Sequence, residues 1–571
     1  MSLPKEIYNN ANKPIKSITD HLNSAVSQAA IKASQKLSEK ILKSGLSANY
    51  VPKLGSELKS TINKMIDVLE NFHNLQTAVE TYQKANKTGL DSTVQESLKS
   101  AKFLMKNAFK RQYWEDVELV YDEINQAIET LLQLQSRQQD KEIWLKEIQG
   151  LAVQAAYALA KNDKLPAAVM TIEQGLARLF SDSLKHYRFE DIQEAAKEQP
   201  LVYLMTTELG GLALLLQDSI TPVWLPELTQ NSSKLRYLEA YFQWRQSSIK
   251  TASSQKAFLN RLEDTTHWLW HSVMQPLMAA LSPHLKIILI PVGQLSLLPF
   301  HAAWTEDNTA ITGKRYALNT LTMAYVPNAR IWIEARKRLE RVSSLDSLLA
   351  VEAPEPVKAS PLPNAKYEIK TIASTFNHSQ ILAGQAATRD AVLNAMKNNT
   401  VLHFACHGYF EAYNPLKSGL VMANDQFLSL EDLLTLPDYK ARLVTLSACE
   451  TGISDITLPD EAISLSTGFL QAGAASVVAS FWDVFDDTLS MMIMIRFYAL
   501  WRQEGLEPVE ALRQAQLWMR DSTNGEKLAY FQERADGATL KRIRKTIAFS
   551  KREDNNFAHS FYWATFIYVG V

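Results

Sequence analysis

Leu443-Val444-Thr445-Leu446-Ser447-Ala448-Cys449-Glu450-Thr451-Gly452 is the stretch whose reading decides the fold. Its first four residues are apolar or β-branched, as in a strand buried on both faces. A small-small-Cys step follows, then a polar turn closed by Gly452. Cys449 is therefore expected at the carboxyl end of a buried strand, where open α/β sheets hold their ligands. Upstream lies a second run of the same kind, Val401-Leu402-His403-Phe404-Ala405-Cys406-His407-Gly408. Two strands that present a His and a Cys at one sheet edge have the geometry a thiol nucleophile needs. The imidazole takes the thiol proton and the thiolate attacks a carbonyl.

Composition narrows the class. The chain has 571 residues, enough for several domains. A net charge of −1 gives no global field toward nucleic acid or anionic lipid, so neither direct nucleic-acid binding nor membrane association is expected. Cys406 and Cys449 are the only cysteines, which excludes a disulfide scaffold and a multi-thiolate metal site. No metal and no cofactor are expected, since no ligand-spaced His cluster stands out beside the two thiols. The first residues carry no apolar signal core and no apolar run is long enough to span a bilayer, so a reducing cytoplasm is the expected location.

Residues up to about 195 read as helical, with apolar residues recurring at three and four. Ile62, Met65, Ile66 and Leu69 form one stripe, and Val117, Val120, Tyr121, Ile124 and Ile128 another. Leu151–Phe180 reads as two helices joined at Asn162-Asp163, with small residues allowing close approach. That spacing resembles one tetratricopeptide repeat (TPR), and Lys102–Ile128 is a weaker match. A plain helical bundle is the alternative. From Leu201, three short apolar runs separated by Gly210-Gly211 and Asp218-Ser219 predict a β-meander. After Leu285-Lys286-Ile287-Ile288-Leu289-Ile290-Pro291, strand and helix patterns alternate, which predicts a largely parallel sheet with helices on both faces. Phe561–Val569 reads as a last strand. The division is thus 1–195, an α-helical partner-binding domain, and 196–571, an α/β domain. Within the latter, 196–284 is the β/helical opening and 285–571 the catalytic part.

Several motifs then appear in order: Leu298-Pro299-Phe300, Leu362–Glu368, Ala387–Leu393, His403–Gly408, Ser447–Gly452, Gly468–Val484 and Tyr562–Gly570. Together they resemble the CHAT domain, a caspase-like module often found with TPR helices. The resemblance implies a caspase-like α/β sheet with flanking helices, preceded by an α-helical TPR-like domain. It also implies a cysteine endopeptidase related in fold to caspases and separase, with His407 matching the catalytic His and Cys449 the nucleophile. Such proteins act in prokaryotic defence, including antiviral and CRISPR-associated systems, or in programmed cell death. A regulatory protein or ribonucleoprotein complex that engages the helices is then the expected activator, and a protein the expected substrate. Ser447-Ala448-Cys449-Glu450-Thr451-Gly452 departs from the caspase Gln-Ala-Cys-x-Gly, so a caspase preference for Asp does not transfer.

The remaining candidates follow from chemistry. The oxyanion formed on attack needs two donors, and the amides of Gly408 and Cys449 are the expected pair. Asp483, Asp486 and Asp487 follow the strand after the Cys strand. Asp483 and Asp487 are candidates for the substrate pocket, and a basic residue before the scissile bond would pair with them. By the resemblance to separase the pocket position falls nearer Ser490, which is uncharged. Asp483 has an equal reading as a turn residue, and Asp486 and Asp487 as helix caps. Cys406 precedes His407 in the chain and reads as a buried apolar residue. His301, His403 and His559 read as structural. The competing function is a helical scaffold whose protease-like domain has lost turnover.

Overall fold

The computed structural model describes residues 75–571 apart from 85–91, 136–137, 179–186, 233–236, 247–251, 282–285, 343–345, 410, 412–414, 437–438, 449–450, 453–457, 483–486 and 548–550. Ile62, Met65, Ile66, Leu69, Cys449, Asp483 and Asp486 therefore lie outside the described residues, as does most of the loop that follows Cys449. By contacts the chain forms two compact units, Met1–Ala168 and Val169–Val571. This division falls upstream of residue 195, where composition changes.

In the first unit the helices Ser92–Lys110 and Trp114–Leu134 form an antiparallel hairpin. The turn between them places Gln112 at φ 61°. The predicted stripe is buried: Val117, Val120, Ile124 and Ile128 are all nearly inaccessible. Helix Leu151–Lys161 lies against Trp114–Leu134, and its buried Ala152, Ala155 and Ala156 let the backbones approach. Phe109, Trp114 and Tyr157 close this core with ring centroids 5.6–6.0 Å apart. Asp163 at φ 60° makes the predicted turn into helix Leu165–Gly175.

The second unit is built on strands β1 (Leu201–Thr207), β2 (Gly210–Leu216), β3 (Ile220–Leu225), β4 (Lys286–Pro291), β5 (Trp304–Glu306), β6 (Lys314–Tyr316), β7 (Thr322–Tyr325), β8 (Ser347–Glu352), β9 (His378–Ala383), β10 (Val401–Ala405), β11 (Gly408–Tyr409), β12 (Gly419–Met422), β13 (Gln426–Ser429), β14 (Leu443–Leu446), β15 (Ser476–Ser480) and β16 (Phe566–Gly570). Eleven of them form one sheet in the order β3-β2-β1-β4-β7-β16-β15-β14-β10-β8-β9. The predicted meander is present, since β1, β2 and β3 pair antiparallel. Beyond it the sheet consists of two parallel blocks, β1-β4-β7-β16 and β15-β14-β10-β8-β9, that run in opposite directions. They meet at the antiparallel pair β15–β16.

Helices cover both faces. His403 and Phe404 are neighbours on β10, so their side chains point to opposite faces. His403 meets Glu368 and Tyr498 from helices Ala365–Ala373 and Asp487–Tyr498. Phe404 meets Phe469 from helix Leu465–Ala472. Met491–Met494 fill the first of these layers and are buried, as core residues should be.

One sequence expectation changes. The run from Phe561 does not form one strand: Ser560–Trp563 is a helical turn and only Phe566–Gly570 is β16. His559 decides this, because its Nδ1 accepts from the Phe561 amide at 3.1 Å and caps the turn. The polar run after Asp521 is ordered. It holds helices Asn524–Gln532 and Gly537–Ile547, the first opened by a Thr523–Glu526 capping box. Lys541, Arg544 and Lys545 do lie on an exposed face.

Candidate active site

The site begins with a register. β10 and β14 are adjacent and parallel, with Val401 opposite Leu443 and Phe404 opposite Leu446. His407 follows Phe404 by three residues, and Cys449 follows Leu446 by three. The two chains therefore leave the sheet at the same edge and reach His and Cys in the same number of steps. Parallel pairing fixes this, because the strands share both direction and rung.

The edge is also a topological switch point. From β8 the chain moves outward to β9, then returns to the other side of β8 as β10 and continues to β14. Crevices open at such reversals, outside the carboxyl ends of the strands. An open cavity of ≈ 340 Å³ lies there, lined by the 353–362 loop after β8, by Gln385 after β9 and by His407 after β10.

His407 is partly exposed and its Nε2 lies 2.7 Å from the Ser360 carbonyl. A carbonyl only accepts, so Nε2 carries the proton and donates. In the neutral ring this leaves the Nδ1 lone pair as the basic site. The loop that supplies Ser360 is held along its length. The Ala353 amide donates to Ala405, the Asn424 amide to Pro356, and the Lys358 amide to Asp425 Oδ1, at 2.9–3.0 Å. At its end Asn364 donates to Thr488 Oγ1 at 2.9 Å and accepts from Arg542 at the same distance.

Gly408 sits opposite Leu420 on β12. The Val421 amide donates to the His407 carbonyl at 2.8 Å, which makes Gly408 and Leu420 a non-hydrogen-bonded pair. The Gly408 N–H thus points away from β12.

Cys449 and Glu450 lie outside the described residues, but the chain is anchored on both sides of them. Ser480, at the end of β15, donates from Oγ to the Ala448 carbonyl at 2.7 Å. Its carbonyl accepts from the Gly452 amide at 2.8 Å, and its amide donates to Thr451 Oγ1 at 3.1 Å. A Cβ at Gly452 would stand 3.1 Å from the Ser480 carbonyl oxygen, so glycine permits this close approach. Sequence reading missed Ser480; the only signal was a small polar residue ending an apolar strand.

Of the pocket candidates, Ser490 is buried with Oγ 3.3 Å from Ser447 Oγ, two residues before Cys449. Asp487 opens helix Asp487–Tyr498, and its side chain lies outside the description, as does Asp483. Cys406 is a free, buried thiol, and burial pushes its pKa up, so it stays protonated and unreactive. His403 is fully buried, with Nε2 2.8 Å from Glu368 Oε1 and Nδ1 3.3 Å from the Tyr498 hydroxyl.

His301 and His559 are structural and carry a pH consequence. His301 hydrogen-bonds Tyr325 and the Ala564 carbonyl, and burial lowers its pKa to about 4. Burial, with Lys314 adding to it, likewise lowers His559 to about 4. Above the ordinary value of 6.5 both are neutral folded or unfolded and contribute no pH dependence. Below it the unfolded chain takes up protons that the folded chain refuses, so stability falls as pH falls toward 4. The slope is at most ~1.4 kcal/mol per pH unit for each group. A denaturation series from pH 7.5 to 4.5 should show this decline, shallower in His301→Gln; equal slopes would contradict the assignment.

The comparisons with known proteins bear on the family and the fold. The CHAT domain model matches residues 263–571. Human (Homo sapiens) tetratricopeptide repeat protein 28 is 25% identical over 260 residues, covering 38% of this chain and 10% of that protein. The chain thus spans about a tenth of the length of that relative. Among solved structures, two of the Saccharomyces cerevisiae separase–securin complex align over 91% of this chain at 10% identity. Their TM-scores are 0.51 and 0.48, with 43% and 44% of those chains covered. At that identity the likeness at 0.51 concerns the fold alone: a large mixed α/β sheet with flanking helices, preceded by helices. The match over more than half of its length, from the helix before β4 to the end of β16, shows that this chain belongs to the CHAT domain family and carries its caspase-like protease domain.

Proposed function

We propose that this chain is a cysteine endopeptidase in which His407 and Cys449 form the reacting pair. The observation that supports the reading is the shared register of β10 and β14: His407 lines the cavity three residues beyond Phe404, and Cys449 follows the paired Leu446 by the same three residues in the sequence. His407 Nδ1 takes the Sγ proton, and the thiolate adds to the carbonyl carbon of the scissile peptide. The resulting oxyanion is met by the amides of Gly408 and Cys449. The imidazolium then gives its proton to the leaving amine as the C–N bond breaks, leaving a thioester. Water, deprotonated by the same Nδ1, hydrolyses the thioester and restores the thiol. The Ser360 carbonyl stabilises the imidazolium by accepting from Nε2–H throughout.

Asp483, Asp487 and Ser490 are the proposed pocket residues. Charge pairing with the two acids favours a basic residue before the scissile bond. The helices of residues 1–195 are the proposed docking region for an activating protein or ribonucleoprotein complex in a reducing cytoplasm. Defence or cell death as the setting rests on family resemblance alone. Co-expression with candidate protein substrates, followed by mapping of new N-termini by mass spectrometry, tests the reading. We expect a discrete cut that is absent with Cys449→Ala. A cut that persists in that variant would overturn the proposal, and a large apolar residue before the cut would remove the acidic pocket.

A further inference from the structure

We propose that His267, His271 and Glu306 form a divalent-metal site of the zinc class. His267 lies near the end of helix Ala252–Leu269, and His271 lies in the π-helical turn Trp270–Met274 that continues it. Spacing of four residues puts the two rings on one face. Glu306 ends β5, whose hairpin with β6 comes alongside this helix.

One donor atom from each residue falls within 4.8 Å of the other two. His267 Nε2 and His271 Nε2 are 3.4 Å apart, and His267 Nε2 is 3.5 Å from Glu306 Oε1. Around a tetrahedral ion with bonds of about 2.0–2.1 Å, neighbouring donors stand roughly 3.3–3.4 Å apart. Two of the three edges already have nearly that length.

The surroundings prepare the rings. His271 Nδ1 is 3.2 Å from Gln275 Oε1, an amide oxygen that only accepts. Nδ1 thus carries the proton and Nε2 turns its lone pair into the cluster, the arrangement a ligating His takes from its outer partner. The His267 ring lies against Trp304 with centroids 4.5 Å apart, which holds its plane. Lys314 faces Glu306 across the hairpin, but its ammonium turns to Glu263 and to the Trp304 ring, 3.8 Å from its centroid. The Glu306 carboxylate therefore keeps its side chain for the histidines. His267 and Glu306 side chains are 37% and 70% exposed, so an ion has an entry path and a fourth position open to water.

Two imidazoles and one carboxylate select zinc and its neighbours over calcium or magnesium, which take oxygen donors. A bound ion would brace the helix against the hairpin. The sequence expectation that no ligand-spaced His cluster exists is corrected here: His267 and His271 have that spacing, and the fold adds the third ligand.

The test is titration of chelator-stripped, full-length protein with zinc chloride alone, in a Cys449→Ala background that removes any thiolate site. Calorimetry should give one equivalent, with a rise in Tm. Cobalt(II) should give the visible absorption of a tetrahedral site. His271→Ala and Glu306→Gln should each weaken binding at least tenfold. Absence of binding, or equal stoichiometry and affinity in the parent and in His271→Ala, would overturn the proposal.

Discussion

Cys449→Ala and His407→Ala are each expected to reduce peptide cleavage by about 10⁴-fold or more, because the members of a nucleophile–base pair act as one unit. His407→Ala removes the base and leaves a thiol whose ordinary pKa, about 8.5, keeps it mostly protonated at neutral pH. His407→Ala should not unfold the chain, since His407 is partly exposed and, among the described residues, its ring is held by one hydrogen bond to the Ser360 carbonyl. Cys406→Ala is the internal control. Its thiol is buried and held protonated by burial, so most activity should remain. Cleavage rates against a mapped substrate distinguish the three variants. Loss with Cys406→Ala and retention with Cys449→Ala would reverse the assignment.

Glu173→Ala should destabilise the second unit by ~3–5 kcal/mol, the usual result of leaving one partner of a buried ion pair alone. Glu173 is 1% exposed. Its Oε1 accepts from the Tyr203 hydroxyl at 2.8 Å and from the Ala329 amide at 2.7 Å. Oε2 lies 3.4 Å from Arg330 Nε, and Arg330 also donates to the Glu173 and Leu176 carbonyls. Burial raises the Glu173 carboxyl pKa; Arg330 and the two donors oppose this and make the buried charge tolerable. Removal of the carboxylate strands the guanidinium and one helix N-terminal amide together. The same reasoning separates two truncations. A chain starting at residue 169 keeps Glu173 and the Ala177 amide that donates to Asp460, whereas one starting at 196 loses both. The shorter chain should unfold at lower denaturant. Equal midpoints for the two truncations, or a loss below ~1 kcal/mol for Glu173→Ala, would contradict this account.

That distinction also governs any test of activation through the proposed docking helices. Deletion of residues 1–195 removes the proposed docking helices and part of the second unit at once, while deletion of 1–168 removes one compact unit.

Much of the fold was legible because buried strands announce themselves. Val401–Ala405 and Leu443–Leu446 are short apolar runs ended by turn residues, and so are β1, β2, β4 and β15. Their directions were not legible. A strand buried on both faces reads alike forward or backward, so the antiparallel seam between β15 and β16 leaves no mark in either sequence. The aromatic run at Phe561 suits a strand or a helix, and a His559 ring nitrogen settles it through one hydrogen bond. At the site, residue types with obvious chemistry were visible, His407 and Cys449 foremost. The groups that hold the His407 ring and the chain on either side of Cys449 were not. The partner of the His407 ring is a backbone carbonyl, which any residue at position 360 would supply. Ser480 looks like an ordinary strand residue until its hydrogen bonds to Ala448, Thr451 and Gly452 are seen. The four-residue spacing of His267 and His271 was passed over, and Glu306 reaches them only through the β5–β6 hairpin.

The most direct test of the His407–Cys449 pair needs no substrate. A brief pulse of iodoacetamide at neutral pH, read by intact-mass and peptide mass spectrometry, reports which thiol is reactive. The account predicts one adduct, at Cys449, formed roughly tenfold more slowly in His407→Ala because the thiolate fraction falls. An adduct appearing first at Cys406, or labelling of Cys449 at the same rate with and without His407, would contradict it.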